Sequence, residues 1–150
     1  MVRFFGACVA MVESSYKNQC MIDPEGRARE LSQAYPGKWT CAGGTAEMMN
    51  LSYVLNAEGV KAYGAVHASP GAVYSYLWAY ARESTPVIVN IRWANKSGHF
   101  AVCPYVDPDG TIIFRDPWYG LYEMQQTSLP SYTPSGASGE LSGWIVVTHK

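Results

Sequence analysis

His99 follows Ser97-Gly98 and opens a β-type run, Phe100-Ala101-Val102. Asp116 closes the next such run, Ile112-Ile113-Phe114-Arg115, and Pro117-Trp118-Tyr119-Gly120 follows it. Between the runs, Asp107-Pro108-Asp109-Gly110 has turn chemistry. Antiparallel strands joined by that turn would bring His99 and Asp116 side by side. A carboxylate beside an imidazole fixes its tautomer and stabilises its cation, which is the orienting half of a nucleophile–base–orienter triad. Taken singly, each residue has a plainer role. A His after Gly at a strand start is more often surface or core, and an Asp before Pro is more often a turn initiator. Their pairing across one hairpin raises the chemical alternative. What the stretch lacks is a nucleophile.

The thiols are Cys8, Cys20, Cys41 and Cys103. No Cys-x-x-Cys pair is present, and neither His67 nor His149 stands at zinc-ligand spacing from any of them, so no metal site is expected. Free thiols are expected over disulfides, because a chain of 150 residues can build its own core. Cys8 sits near the start of a predicted helix, 6–19, whose early part is apolar all round and therefore reads as buried. Cys20 ends that helix, Cys41 falls in a loop at 38–44, and Cys103 lies inside a strand.

The remaining elements must position these groups. Asp23-Pro24-Glu25 starts a short helix that Pro36-Gly37 stops. Thr45 caps a helix over 46–57, which Gly59 ends, and 60–66 reads as a strand. Ser69-Pro70 starts a further helix, with Val73 and Leu77 facing inward, ending near Ser84. From Pro86 the period changes to two: 86–93 is a strongly apolar, central strand, and 100–106 with 111–115 is the hairpin. A short strand at 121–124, a Ser/Pro/Gly-rich loop at 129–139 and a closing strand at 144–148 complete a single α+β domain, helices first and antiparallel sheet after.

Composition limits the alternatives. Hydrophobic residues make up 48% and charged residues 15%, which excludes a disordered chain. A net charge of -1 gives no electrostatic footprint for nucleic acid. No apolar run reaches about 18 residues, so no membrane span is expected. Met1-Val2-Arg3-Phe4-Phe5 is too short and abrupt for a signal peptide and reads as a trimmed start or a domain cut from a longer protein. His67 and His149 read as solvated, Asn95 as a turn residue in Asn95-Lys96-Ser97-Gly98, and Trp118 and Tyr119 as either cleft wall or core.

Gly98-His99-Phe100-Ala101-Val102 followed by Asp116-Pro117-Trp118-Tyr119-Gly120 resembles the papain-like cysteine peptidases of bacteria, in particular double-glycine leader peptidases of bacteriocin exporters and small secreted peptidases and effectors. The likeness spans nearly the whole chain. It implies an N-terminal helix carrying the nucleophilic Cys, then a sheet supplying His and Asp. It makes His99 the general base and Asp116 its orienter, and Cys8 the Cys placed for attack. At a helix N-terminus the dipole and a nearby imidazolium would favour the thiolate. A second register aligns Ala7-Cys8-Val9-Ala10-Met11-Val12 with the family's Cys-Gly-Pro-Ala-Ala-Leu-Ala-Met-Val pattern. It puts Phe4 at the nucleophile position and Cys8 one turn inside, as a small core residue. The family's oxyanion-hole Gln has no counterpart among Met1 to Ala7, so either part of the site would lie outside this chain or backbone N–H groups alone would serve.

The expected activity is hydrolysis of a peptide or side-chain amide through Cys8, His99 and Asp116, with no cofactor and with a peptide or protein as substrate. The same triad would serve a glutamine deamidase or transglutaminase, or an amidase on peptidoglycan stem peptides. The second register implies a degenerate domain that binds a peptide in the old cleft. The resemblance extends to effectors and toxins that a bacterium secretes or delivers, and to parts of larger exporter proteins.

Overall fold

The computed structural model describes residues 2–17, 30, 33–34, 47–66 and 69–149. The predicted helix after Asp23 (save residues 30, 33 and 34) and the loop at 38–44 lie outside the described residues, as do Cys20, Cys41 and His67. Helix α1 spans Val2–Lys17 and α2 spans Glu47–Ala57. Strand β1 (Lys61–Val66) leads to helix α3 (Pro70–Tyr80), and then six strands follow: β2 (Val87–Trp93), β3 (Gly98–Val106), β4 (Ile112–Asp116), β5 (Gly120–Met124), β6 (Ser131–Tyr132) and β7 (Gly139–His149). The class is α+β with a papain-like arrangement of N-terminal helices and a seven-stranded antiparallel sheet, as the sequence implied.

The strand order is β1-β7-β2-β3-β4-β5, with β6 added onto β7. Val87 to Ile91 of β2 are buried throughout, because the strand lies between β7 and β3 and is covered on both faces. Its alternation divides the core in two. Ile88 joins Phe100, Val102 and Val146 beneath α1 and α2, where Cys8, Val9, Val12, Leu51, Val54 and Leu55 pack. Val87, Val89 and Ile91 join Ala101, Cys103, Ile112 and Phe114 on the other face, beneath Val73 and Leu77 of α3. Strand periodicity thus sends neighbouring residues of β3 to opposite layers.

Local chemistry fixes the joints. Ser69 caps α3, its hydroxyl accepting from the Ala72 N–H at 3.2 Å, with Pro70 at the first helical position. Gly59 turns out of α2 with φ +91°, the left-handed conformation expected after a helix end. Among the described residues no helix is long and apolar enough to cross a membrane.

One segment departs from expectation. The Ser/Pro/Gly-rich stretch 129–139 is not only loop: Ser131–Tyr132 form β6, and β7 begins at Gly139 instead of Trp144. Ser131 pairs with Glu140, and Tyr132 pairs with Gly139. Gly, Ser and Glu over 139–143 give no alternating apolar signal, so the strand here depends on partners on both sides, β2 and β6.

Candidate active site

The β3–β4 hairpin closes as its turn sequence demands. The Gly110 N–H donates to the Asp107 carbonyl at 2.8 Å, and Asp109 Oδ1 accepts from the Thr111 N–H at 2.9 Å. Gly110 takes φ +93°. The register shifts between Val102 and Tyr105, and the far ends of the strands meet. There His99 Nε2 lies 2.9 Å from both Asp116 Oδ1 and Asp116 Oδ2, with both side chains buried.

Asp116 is held from three further directions. Its Oδ1 accepts the backbone N–H of Trp118 at 2.7 Å and of Tyr119 at 3.0 Å, an Asx-type turn into β5 that Gly120 completes at φ +75°. Its Oδ2 accepts the Tyr132 hydroxyl at 2.6 Å. The plain role of an Asp before Pro and the contact with His99 therefore coexist in one side chain. Burial pushes the Asp116 carboxyl up, but the hydrogen bonds from His99 and Tyr132, the imidazole charge and the Trp118 amide outweigh it and hold the pKa below the ordinary carboxylate value. Asp116 is thus an anion at neutral pH. Nε2 of His99 must carry the proton it donates, which leaves Nδ1 as the nitrogen for proton exchange.

Aromatic rings frame the imidazole. Trp93 lies against it at 5.3 Å between centroids, and Trp118 meets it edge-on at 6.2 Å. Trp118 is 62% exposed and stacks on Tyr119 at 5.7 Å, so it forms a rim and not core. Tyr132, a partner that no sequence motif marks, is fully buried among Trp93, Phe114 and Tyr122. Its signal was weak, a lone aromatic in a Ser/Pro-rich stretch.

Cys8 comes from α1 into the neighbourhood of the pair: the charge of Asp116 acts on its thiol, and the thiol acts on Tyr132. It is nevertheless wholly buried, packed with Val9, Val12 and Phe100. Burial first, and the Asp116 charge second, push its pKa well above the ordinary thiol value. It stands six positions after Val2, about 9 Å along the helix, beyond the first turn in which the dipole acts. Its resting form is a neutral thiol. Cys103, free like Cys8, is buried on the other face of the sheet, and burial pushes its thiol up to about 12. His149 ends β7, exposed, against the Tyr63 ring at 5.9 Å. Asn95 Oδ1 accepts from the Ser97 N–H at 2.9 Å, a turn role as expected.

The fold is papain-like. No known family signature and no curated protein sequence matches the chain. Solved structures do. The chain is similar to a double-glycine motif protease from an AMS/PCAT transporter, solved in complex with the leader peptide, with TM-score 0.58, 15% identity, and 100% of this chain and 86% of that one covered. It is similar to the peptidase domain of Streptococcus mutans ComA, with TM-score 0.52, 15% identity, and 80% and 87% covered. It is similar to the Pseudomonas avirulence protein AvrPphB, with TM-score 0.50, 15% identity, and 83% and 76% covered. At this identity the likeness is one of fold.

Proposed function

We propose that this chain is a cysteine-dependent hydrolase of peptide or side-chain amides, with Cys8 as nucleophile, His99 as general base and Asp116 as orienter. The observation behind it is the buried His99–Asp116 pair, a contact that costs desolvation and is a poor stabiliser in itself, set within electrostatic reach of a thiol. Because the thiol rests neutral, the base has to work during attack. As Cys8 Sγ bonds to the carbonyl carbon, its proton passes to His99 Nδ1. The tetrahedral adduct collapses when His99 returns that proton to the leaving nitrogen and the C–N bond breaks, leaving a thioester. His99 then takes a proton from water as the water oxygen attacks. The adduct collapses, the proton returns to sulfur, and the acid is released with the thiol restored. Asp116 stays ionised throughout and holds the imidazolium. The peptide in the transporter protease complex makes a peptide the substrate class to try first. Delivery by a bacterium as an effector or toxin fits the same fold and belongs to this proposal.

A second reading has its own observation. Cys8 lies past the first turn of α1 and packs with Phe100 and Val102, whose side chains leave β3 on the face opposite to that of Ala101. Phe4 occupies the first turn of α1. This favours a domain that binds a peptide without cutting it. A peptidyl epoxide, applied to the protein and to His99→Ala and followed by peptide mapping, separates the two. Labelling of Cys8 that depends on His99 supports the hydrolase. Labelling that is absent, or equal in both proteins, sinks it and leaves the binding domain.

A further inference from the structure

We infer that Tyr132 is a positioning residue of this site and acts on His99 through Asp116. The inference rests on the hydrolase reading for its purpose but not for its geometry. Asp116 Oδ1 is tied to the chain by two backbone N–H groups, of Trp118 and Tyr119. Oδ2 has no such tie; besides the shared His99 N–H, its donor is the Tyr132 hydroxyl at 2.6 Å. With Oδ1 fixed, the carboxylate can still swing about its last torsion, a broad one for Asp. Tyr132 stops that swing and keeps both oxygens 2.9 Å from Nε2.

The chain delivers Tyr132 with care. It belongs to β6, which pairs with β7, and the Leu141 N–H closes this corner on the Pro130 carbonyl at 2.8 Å. Its partner is Gly139, where an added Cβ would stand 2.5 Å from Trp93 Cε3. The same Trp93 ring lies against both His99 and Tyr132. A Phe would keep every ring contact of Tyr132. The hydroxyl is the part that only the carboxylate explains, since burial and the neighbouring Asp116 both disfavour its ionised form and keep it a donor.

The test uses Tyr132→Phe, Tyr132→Leu and the unaltered chain. The readout is the exchange of the His99 Nε2 proton with solvent, followed by its downfield proton resonance, alongside thermal unfolding. Positioning predicts that Tyr132→Phe stays folded, melting within about 5–8 °C of the parent, yet exchanges that proton faster, by about tenfold or more, the scale of one hydrogen bond to a charged group. Tyr132→Leu, which loses ring and hydroxyl, exchanges at least as fast. A merely structural role predicts that Phe matches the parent and only Leu differs; that result overturns the inference. Should Tyr132→Phe fail to fold, 3-fluorotyrosine at 132 retains the hydroxyl, and its fluorine signal must move on Asp116→Asn. An unmoved signal also overturns it. Where a peptide is turned over, Tyr132→Phe should lower kcat about tenfold with KM unchanged. The exchange measurement needs no turnover, so a chain that cuts nothing sinks the hydrolase reading and leaves this inference to its own result.

Discussion

Asp116→Asn is the perturbation whose consequences the geometry states most fully. The carboxylate accepts four donors: His99 Nε2–H, the Tyr132 hydroxyl, and the Trp118 and Tyr119 amides. An Asn keeps an oxygen for the two amides but turns an NH2 toward Nε2 and Tyr132. The NH2 opposes the Nε2 proton and competes with the remaining Oδ1 acceptor, which favours the tautomer with Nε2 accepting and the proton on Nδ1, the nitrogen that should take the thiol proton. Hydrolysis should fall by about 10³–10⁴ in kcat, as expected for a wrong tautomer in an intact site. Stability changes less. Hydrogen bonds to the charge give way to neutral ones at about 1 kcal/mol each, while removing a buried charge returns part of that. A net loss of about 1–3 kcal/mol, roughly 3–10 °C in Tm, is expected at pH 6–7. The pH dependence has a definite sign. The folded pKa of Asp116 is depressed, so its contribution is present above the unfolded value of 3.8 and is lost as pH falls from there toward the folded value. Melting curves of the two proteins should therefore converge as pH drops from 6 to about 2.5. A gap that stays constant over that range, or an Asn variant that hydrolyses at the parent rate, would refute the reasoning.

Other changes have separate readouts. Cys8→Ala and Cys8→Ser should both abolish hydrolysis, and Ser should also lower stability by about 1–3 kcal/mol because it buries a hydroxyl among Val9, Val12 and Leu51; retained turnover in either sinks Cys8 as nucleophile. Gly139→Ala should force Trp93 off His99, costing about 1–3 kcal/mol and changing tryptophan fluorescence, since the new Cβ would meet Trp93 at 2.5 and 2.7 Å; an unchanged emission spectrum and Tm would show that the ring has room. Ser69→Ala, far from the chemistry in sequence, should cost about 1 kcal/mol through loss of the α3 cap and leave hydrolysis as it was. Arg115→Ala should shift Tm by no more than the equivalent of about 0.5 kcal/mol, its ion pair with Glu83 being exposed on both sides.

What the sequence disclosed of the site follows a physical division. His99 and Asp116 were legible because the turn Asp107-Pro108-Asp109-Gly110 and two apolar runs fix a hairpin locally, and a hairpin dictates which ends meet. The central strand at 87–93 was legible because burial on both faces favours a near-continuous apolar run, Val87-Ile88-Val89 and Ile91, broken within its buried part by Asn90 alone. Tyr132 was not legible. Its two-residue strand is held by non-local pairing with Gly139 and Glu140, and neither partner shows strand chemistry of its own. The depth of Cys8 was half legible: the all-round apolar start of the helix announced burial, while the register relative to the sheet depends on packing that no local pattern encodes.

Four donors on one carboxylate restrict what His99 can do, whichever fate Cys8 has. A carboxylate so occupied has little capacity left to accept a transferred proton, so Asp116 stands as a fixed negative end against Nε2. Trp93 lies against the ring, and Trp118 meets it from the exposed rim, so ring packing and the bond to the carboxylate together set the direction Nδ1 faces. In the proposed hydrolase, Trp118 would face the substrate while Tyr132, through Asp116, would hold the imidazole. Replacing Trp118 by Ala should alter peptide affinity while leaving the His99 Nε2 proton as slow to exchange as in the parent; replacing Tyr132 by Phe should do the reverse. If both substitutions moved both quantities together, the pair and the rim would be one cooperative unit, and the separation drawn from their contacts would be wrong.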